Sequence, residues 1–116
     1  MAHPLRQHIE EVIGLTDEEF DFVLSHFEQI NKRKHQYIIQ EGEIVDKEYW
    51  IIKGCLKSYF VDHSGKEHIL QFGMENWWIT DYESFVMQTK SKTSIDNFSF
   101  LNNILMFTLI DLLKMA

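Results

Sequence analysis

The sequence predicts a mainly β fold with flanking helices, its antiparallel strands closing into a sandwich, jelly roll or barrel. Three observations carry this. Residues 36–80 hold five short segments rich in β-branched and aromatic residues, "QYIIQ", "EYWIIKG", "CLKSYFV", "EHILQF" and "NWWIT", the composition that strands favour. Turn chemistry separates them, at Glu41-Gly42-Glu43, Lys53-Gly54 and His63-Ser64-Gly65-Lys66. Turns spaced every ten residues or so mark such all-β architectures. Helical periodicity is confined to the two ends and one short stretch between.

Taken in order, the chain begins with helices. Leu5, Ile9, Val12 and Ile13 recur at helical spacing up to Gly14, which predicts a first helix ended by that glycine. Thr16-x-x-Glu19 is a capping-box pattern. Phe20, Val23, Leu24 and Phe27 behind it keep the helical period. The basic cluster "NKRKH", residues 31–35, reads as a solvated helix end. Residues 1–34 are therefore expected to be N-terminal helices, and residues 35–108 the β region. "DYESFVMQ" predicts a short internal helix near 81–88, with Asp81 or Thr80 as its N-cap. "TSIDNFSF" and "ILMFTL" return to strand. Residues 109–116, "LIDLLKMA", look like the start of a C-terminal helix whose apolar face is Leu109, Leu112 and Leu113.

Composition narrows the function. A length of 116 residues is that of one domain, so residues 1–116 are expected to form a single unit. The lone cysteine, Cys55, leaves no internal disulfide framework and no multi-cysteine zinc or iron–sulfur site within one chain. A reducing, cytoplasmic setting is expected. No run is long enough to span a membrane. A net charge of −7 weighs against DNA binding by this chain alone.

Few motifs carry chemistry. No nucleophile elbow, Walker loop or dinucleotide fingerprint is present, and the chain is not expected to be an enzyme. His63 and His68 flank the Ser64-Gly65 turn, where a hairpin could bring them together. A cupin-like metal site needs a closer histidine pair, a carboxylate and a third histidine, so no metal is expected. Cys55 is expected to be an inert, half-buried thiol. The stretch "WWITDYESFVMQTKSKTSI" remains. A helix starting at Thr80-Asp81 presents free N–H groups that can hold an anion. A plain capped helix followed by a solvated loop accounts for the same residues. Trp77 and Trp78 occupy adjacent strand positions, so one should point inward and the other outward.

Gly42-Glu43, Tyr49-Trp50-Ile51-Ile52-Lys53-Gly54 and Asp62-His63-Ser64-Gly65-Lys66-Glu67, followed by the turn at Thr80-Asp81, resemble a family series. It is that of the cyclic-nucleotide-binding sensor domain of Crp/Fnr bacterial transcription regulators. The similarity covers roughly residues 20–112, without a gap from Gly42 to Ile95. It implies an antiparallel β-roll, a double-stranded β-helix of the jelly-roll type, with eight strands and with Gly42, Gly54 and Gly65 at structural turns. It also implies a phosphate-binding cassette as ligand site, with Thr80, Asp81, Tyr82, Ser91, Lys92, Thr93 and Ser94 as candidate binding residues. In the family the cassette turn is Gly-Glu, the Glu holding a ribose hydroxyl; an Arg about ten residues later holds the cyclic phosphate. Here those positions are Thr80-Asp81 and Ser91.

The resemblance therefore implies a ligand-sensing regulatory domain that does not bind cAMP in the usual way. Its ligand class would be a cyclic nucleotide or another small anion, and its partners an unknown small-molecule effector and, in the full-length form, a second copy. No membrane partner is implied. Family members continue into a dimerisation helix and a DNA-reading domain. The chain stops as that helix begins, as expected of a fragment, a truncated member or a stand-alone domain. The alternatives are a β-roll that binds no ligand and serves as a dimerisation or partner scaffold, which a bare Leu109/Leu112/Leu113 face or an outward Trp77 or Trp78 would support, and a cupin-like metalloenzyme.

Overall fold

The computed structural model describes residues 3–115. It holds eight strands and four helices among them: α1 (Pro4–Glu10), α2 (Asp17–Leu24), β1 (Glu28–Ile30), β2 (Tyr37–Ile39), β3 (Lys47–Lys53), β4 (Leu56–Val61), β5 (Glu67–Gly73), β6 (Trp78–Ile79), α3 (Tyr82–Met87), β7 (Ser94–Asn97), β8 (Asn103–Thr108) and α4 (Leu109–Met115). The strands form two four-stranded antiparallel sheets, ordered β1-β8-β3-β6 and β2-β7-β4-β5. The mainly β fold expected from the segment pattern is present, with a short helix between β6 and β7.

Two apolar layers hold it. Between the sheets lie Ile38, Ile39, Val45, Tyr49, Ile51, Leu56, Ile79, Phe85, Ile95 and Ile104. A second layer sits on the outer face of the first sheet, where Leu5 of α1 and Phe20 of α2 pack with Trp50 and Leu105. β3 serves both layers, with Tyr49 and Ile51 facing the interior and Trp50 the helices. Burial of this apolar surface is the main stabilising term.

The capping box forms as expected: the Thr16 hydroxyl accepts from the Glu19 N–H at 3.1 Å, and the Glu19 carboxylate accepts from the Thr16 N–H at 2.8 Å. Four expectations need correction. The first helix ends at Glu10, leaving Val12 90% and Ile13 62% exposed. The Arg6 guanidinium donates to the Leu15 carbonyl and to Asp17. That ties the chain back across α1 and leaves residues 12–13 outside the packed face. The second helix ends at Leu24, and Phe27 packs from beyond it.

The third and fourth corrections concern residues 28–35. β1 lies where helix was expected, because Glu28, Gln29 and Ile30 pair with Met106, Leu105 and Ile104 of β8. The basic residues 31–35 are a strand-to-strand loop, not a helix end. Side chains from the end of β7 and from the β7–β8 connection hold that loop: Asn102 accepts from the Lys32 N–H at 2.8 Å, and Asn97 donates to the Lys32 carbonyl at 3.0 Å. The expected bare face of Leu109, Leu112 and Leu113 lies outside the described side chains. No described helix is long and apolar enough to cross a membrane.

Candidate functional site: the turn between β6 and α3

The candidate site grows out of the end of β6. The Thr80 hydroxyl donates to the Lys47 carbonyl of β3 at 2.8 Å, which fixes the turn against the first sheet. Asp81 then caps α3, with one carboxylate oxygen accepting from the Ser84 N–H at 3.3 Å. Its other oxygen accepts from the Ser91 hydroxyl at 2.9 Å and the Lys92 N–H at 3.1 Å. The Ser91 hydroxyl also lies 2.6 Å from the Thr93 carbonyl. It has one proton, so Asp81 and that carbonyl share the donation.

Burial pushes the Asp81 carboxyl up, but the bonds from Ser84, Ser91 and Lys92 outweigh it and hold the group below its ordinary range. The loop is fastened outward as well. The Gly42 N–H donates to the Ser91 carbonyl at 2.9 Å, and the Ser91 N–H donates to the Glu43 carbonyl at 2.7 Å.

Beside this turn lies a cavity of about 220 Å³, lined by Ser58, Leu70, Gln71, Thr80, Asp81, Tyr82 and Thr93. The structure thus gathers Thr80, Asp81, Tyr82 and Thr93 of the sequence-derived set. Ser91 is buried and bonded to Asp81, but does not line the cavity. Lys92 is exposed, its amine 3.7 Å from Glu83. The Ser94 hydroxyl accepts from the Glu41 N–H at 3.0 Å. Sequence reasoning missed Ser58, Leu70 and Gln71. Ser58 and Gln71 are register partners across β4 and β5. A small polar residue inside the run "CLKSYFV" is the signal that could have found Ser58.

The tryptophans also need correction. Neither sits between the sheets. Only Trp78 is in β6, and it packs in the outer layer, its indole N–H donating to His8 Nε2 at 3.1 Å. Trp77 is half exposed. Phe85 belongs to the inter-sheet core and Met87 is exposed, so none of Trp77, Phe85 and Met87 fills the cavity.

The two hairpin histidines do not converge. His68 Nε2 lies 2.7 Å from the Asp62 carboxylate, and its ring stacks on Phe60 at 4.8 Å. His63 is exposed. The contact with His68, with donors from Ser64 and Lys66, holds the Asp62 carboxyl well below its usual range. Among the described residues no three His, Cys, Asp or Glu side chains are placed to share a metal ion. Burial, with the charge of Glu75, raises the Cys55 thiol.

Tyr82 links the turn to the outer face, where its hydroxyl donates to Glu48 Oε1 at 2.8 Å. Burial pushes the Glu48 carboxyl up to about 7, against the pull of that hydrogen bond. The native state therefore binds more proton than the unfolded chain between the ordinary glutamate range and pH 7. Glu48 contributes stability that is complete below that window and is lost as pH rises through 7. Urea unfolding should give a stability lower by on the order of 2 kcal/mol at pH 8 than at pH 5, allowing for solvent screening. Glu48→Gln should flatten that part of the profile; an unchanged slope in the variant would refute the assignment.

Residues 29–95 match the sequence model of the cyclic nucleotide-binding domain, a span of more than half the chain that includes the turn at Thr80-Asp81. The chain belongs to the cyclic nucleotide-binding domain family. No curated protein matches it significantly in sequence. Solved structures share the fold of this cyclic nucleotide-binding domain. The catabolite activator protein of Thermus thermophilus matches 97% of the chain, at a TM-score of 0.76 and 19% identity. The sensor domain of the transcriptional regulator DNR from Pseudomonas aeruginosa also matches 97%, at 0.76 and 20%. A cAMP-bound PfPKA-R matches 97%, at 0.79 and 17%. The domain spans 49%, 71% and 40% of those three chains respectively. At these identities the likeness is one of fold.

Proposed function

We propose that residues 1–116 form the ligand-sensing regulatory domain of a Crp/Fnr-type transcription regulator, and that its effector site is the cavity beside Asp81. The family match and the shared β-roll support a ligand-binding role, and the regulators among the solved structures support a regulatory one. In this reading the domain is not an enzyme, works in the cytoplasm, pairs with a second copy of itself and does not read DNA by itself. Thr80, Asp81, Tyr82 and Thr93 face the effector, while Ser91, Lys92 and Ser94 hold the loop.

In this reading cAMP is not bound in the usual way, and the observation that carries this is the closed set of bonds around Asp81. Its carboxylate already accepts from Ser84, Ser91 and Lys92, and Ser91 brings no positive charge where the family uses an arginine. Losing such a charge-assisted contact weakens phosphate binding by roughly 1.5–3 kcal/mol. Calorimetry with cAMP and cGMP is therefore expected to give no saturable heat below about 0.1 mM. Submicromolar cAMP binding would overturn the reading of Ser91. The half-exposed Trp77 favours a second reading, a partner-binding scaffold, since apolar surface left open marks interfaces.

A further inference from the structure

The outward positions of β3 are Glu48, Trp50 and Ile52. Trp50 and Ile52 belong to the apolar layer beneath α1 and α2. Glu48 takes the third place in that row and is only 7% exposed. Its register partner across the sheet is Phe107. One carboxyl oxygen accepts from Tyr82. Among the described residues the other oxygen has no hydrogen-bond donor and is not one of the fully enclosed unsatisfied atoms, and no cationic side chain forms an ion pair with this carboxyl. Buried carboxyls in proteins are ordinarily paired.

The surroundings of Glu48 are aromatic. Phe27, Trp78, Tyr82, Phe107 and Met115 line with it a groove of about 430 Å³. Phe27 and Phe107 meet edge to face at 5.0 Å, and Trp78 and Phe107 at 5.9 Å. Aromatic faces attract organic cations through the ring quadrupole, most strongly where water is excluded. A cleft that combines apolar walls with one polar anchor is the usual form of a small-molecule site. A perturbed ionisable group inside it strengthens that reading.

We propose that this groove binds a small organic cation, a substituted ammonium, with its charge against Glu48 and its apolar body against Phe27, Trp78 and Phe107. A hydrated metal ion would find a single carboxyl among rings. Above pH 7, where the Glu48 carboxyl is ionised, a neutral apolar molecule would leave it without a counter-charge. Charge complementarity therefore selects the ammonium. The groove shares only Tyr82 with the cavity beside Asp81, so the proposal stands whether or not that cavity holds an effector.

The test uses the unmodified protein at pH 8, where Glu48 is ionised, and two probes of one shape: choline, and its uncharged isostere 3,3-dimethylbutan-1-ol. Tryptophan fluorescence and calorimetry follow binding, with sodium chloride as the ionic-strength control. Choline is expected to saturate in the millimolar range, about tenfold or more tighter than the alcohol. Glu48→Gln, which keeps a side-chain acceptor for the Tyr82 hydroxyl, is expected to weaken choline about tenfold and leave the alcohol unchanged. Three results would each overturn the proposal: no saturation by about 100 mM choline, equal affinity for the alcohol, or undiminished choline binding in a folded Glu48→Gln protein.

Discussion

Replacing Trp50 with alanine is expected to cost about 4 kcal/mol of stability and to lower the melting temperature by on the order of 15 °C. Trp50 is fully buried in the middle of β3, between register partners Leu105 and Trp78. The His8 ring lies 5.4 Å from it, and Leu5 and Phe20 share its layer. Truncation would open a cavity under both N-terminal helices at once, and the surrounding structure can collapse only partly into it. The indole N–H of Trp50 has no hydrogen-bond partner. Trp50→Phe removes that unsatisfied donor along with part of the ring, so its cost should be much smaller, about 1 kcal/mol. Thermal and urea unfolding followed by circular dichroism measure both. A loss below about 1.5 kcal/mol for the alanine variant would mean that α1 and α2 are not docked on the sheet.

Gly54→Ala is expected to cost about 3–5 kcal/mol, combining an unfavourable backbone conformation with steric overlap. Gly54 has φ +118°, and an added Cβ would lie 2.8 Å from Asn102 Cβ, 2.8 Å from Ser99 Oγ and 3.2 Å from the Leu101 carbonyl. Those neighbours cannot simply give way. The Ser99 hydroxyl accepts from the Cys55 N–H and donates to Asn97, and Asn97 and Asn102 hold the loop that carries Lys32. Gly42 supplies the control. It too has positive φ, at +93°, but an added Cβ there meets nothing within 4 Å. Gly42→Ala should cost only the conformational part, about 1–2 kcal/mol. Equal losses at the two positions in urea unfolding would show that the connection around residues 97–102 does not close on Gly54.

The sequence was most readable where structure is local. Segments such as "EYWIIKG" and "CLKSYFV" became β3 and β4 because their composition suits a pleated surface and a glycine turn bounds them. The Thr16–Glu19 cap and the Asp81 cap were visible because each bonds within three residues. β1 was not visible. Its three residues, Glu28–Ile30, carry no periodicity and become a strand only because β8 lies alongside. The first sheet is covered on both faces, so alternation could not tell which layer would receive Trp78.

The candidate site divides in the same way. Thr80, Asp81 and Ser91 follow the family's order along the chain and could be placed from it. Ser58 and Gln71 enter the cavity through strand register, which no stretch of sequence states. Glu48 has no mark of its own in the sequence, since its burial depends on what packs against the outer face of β3.

The pairing of β1 with β8 bears on how the polypeptide acquires its shape. The two partners come from opposite ends of the roll, Ile30 facing Ile104, so joining them closes nearly the whole roll into one loop, an entropically slow step. During synthesis α1 and α2 leave the ribosome long before Leu105 does. Their apolar faces, Leu5 and Phe20 among them, then wait without the surface they finally cover. The seam should be the last part to form in refolding and the first to open under denaturant.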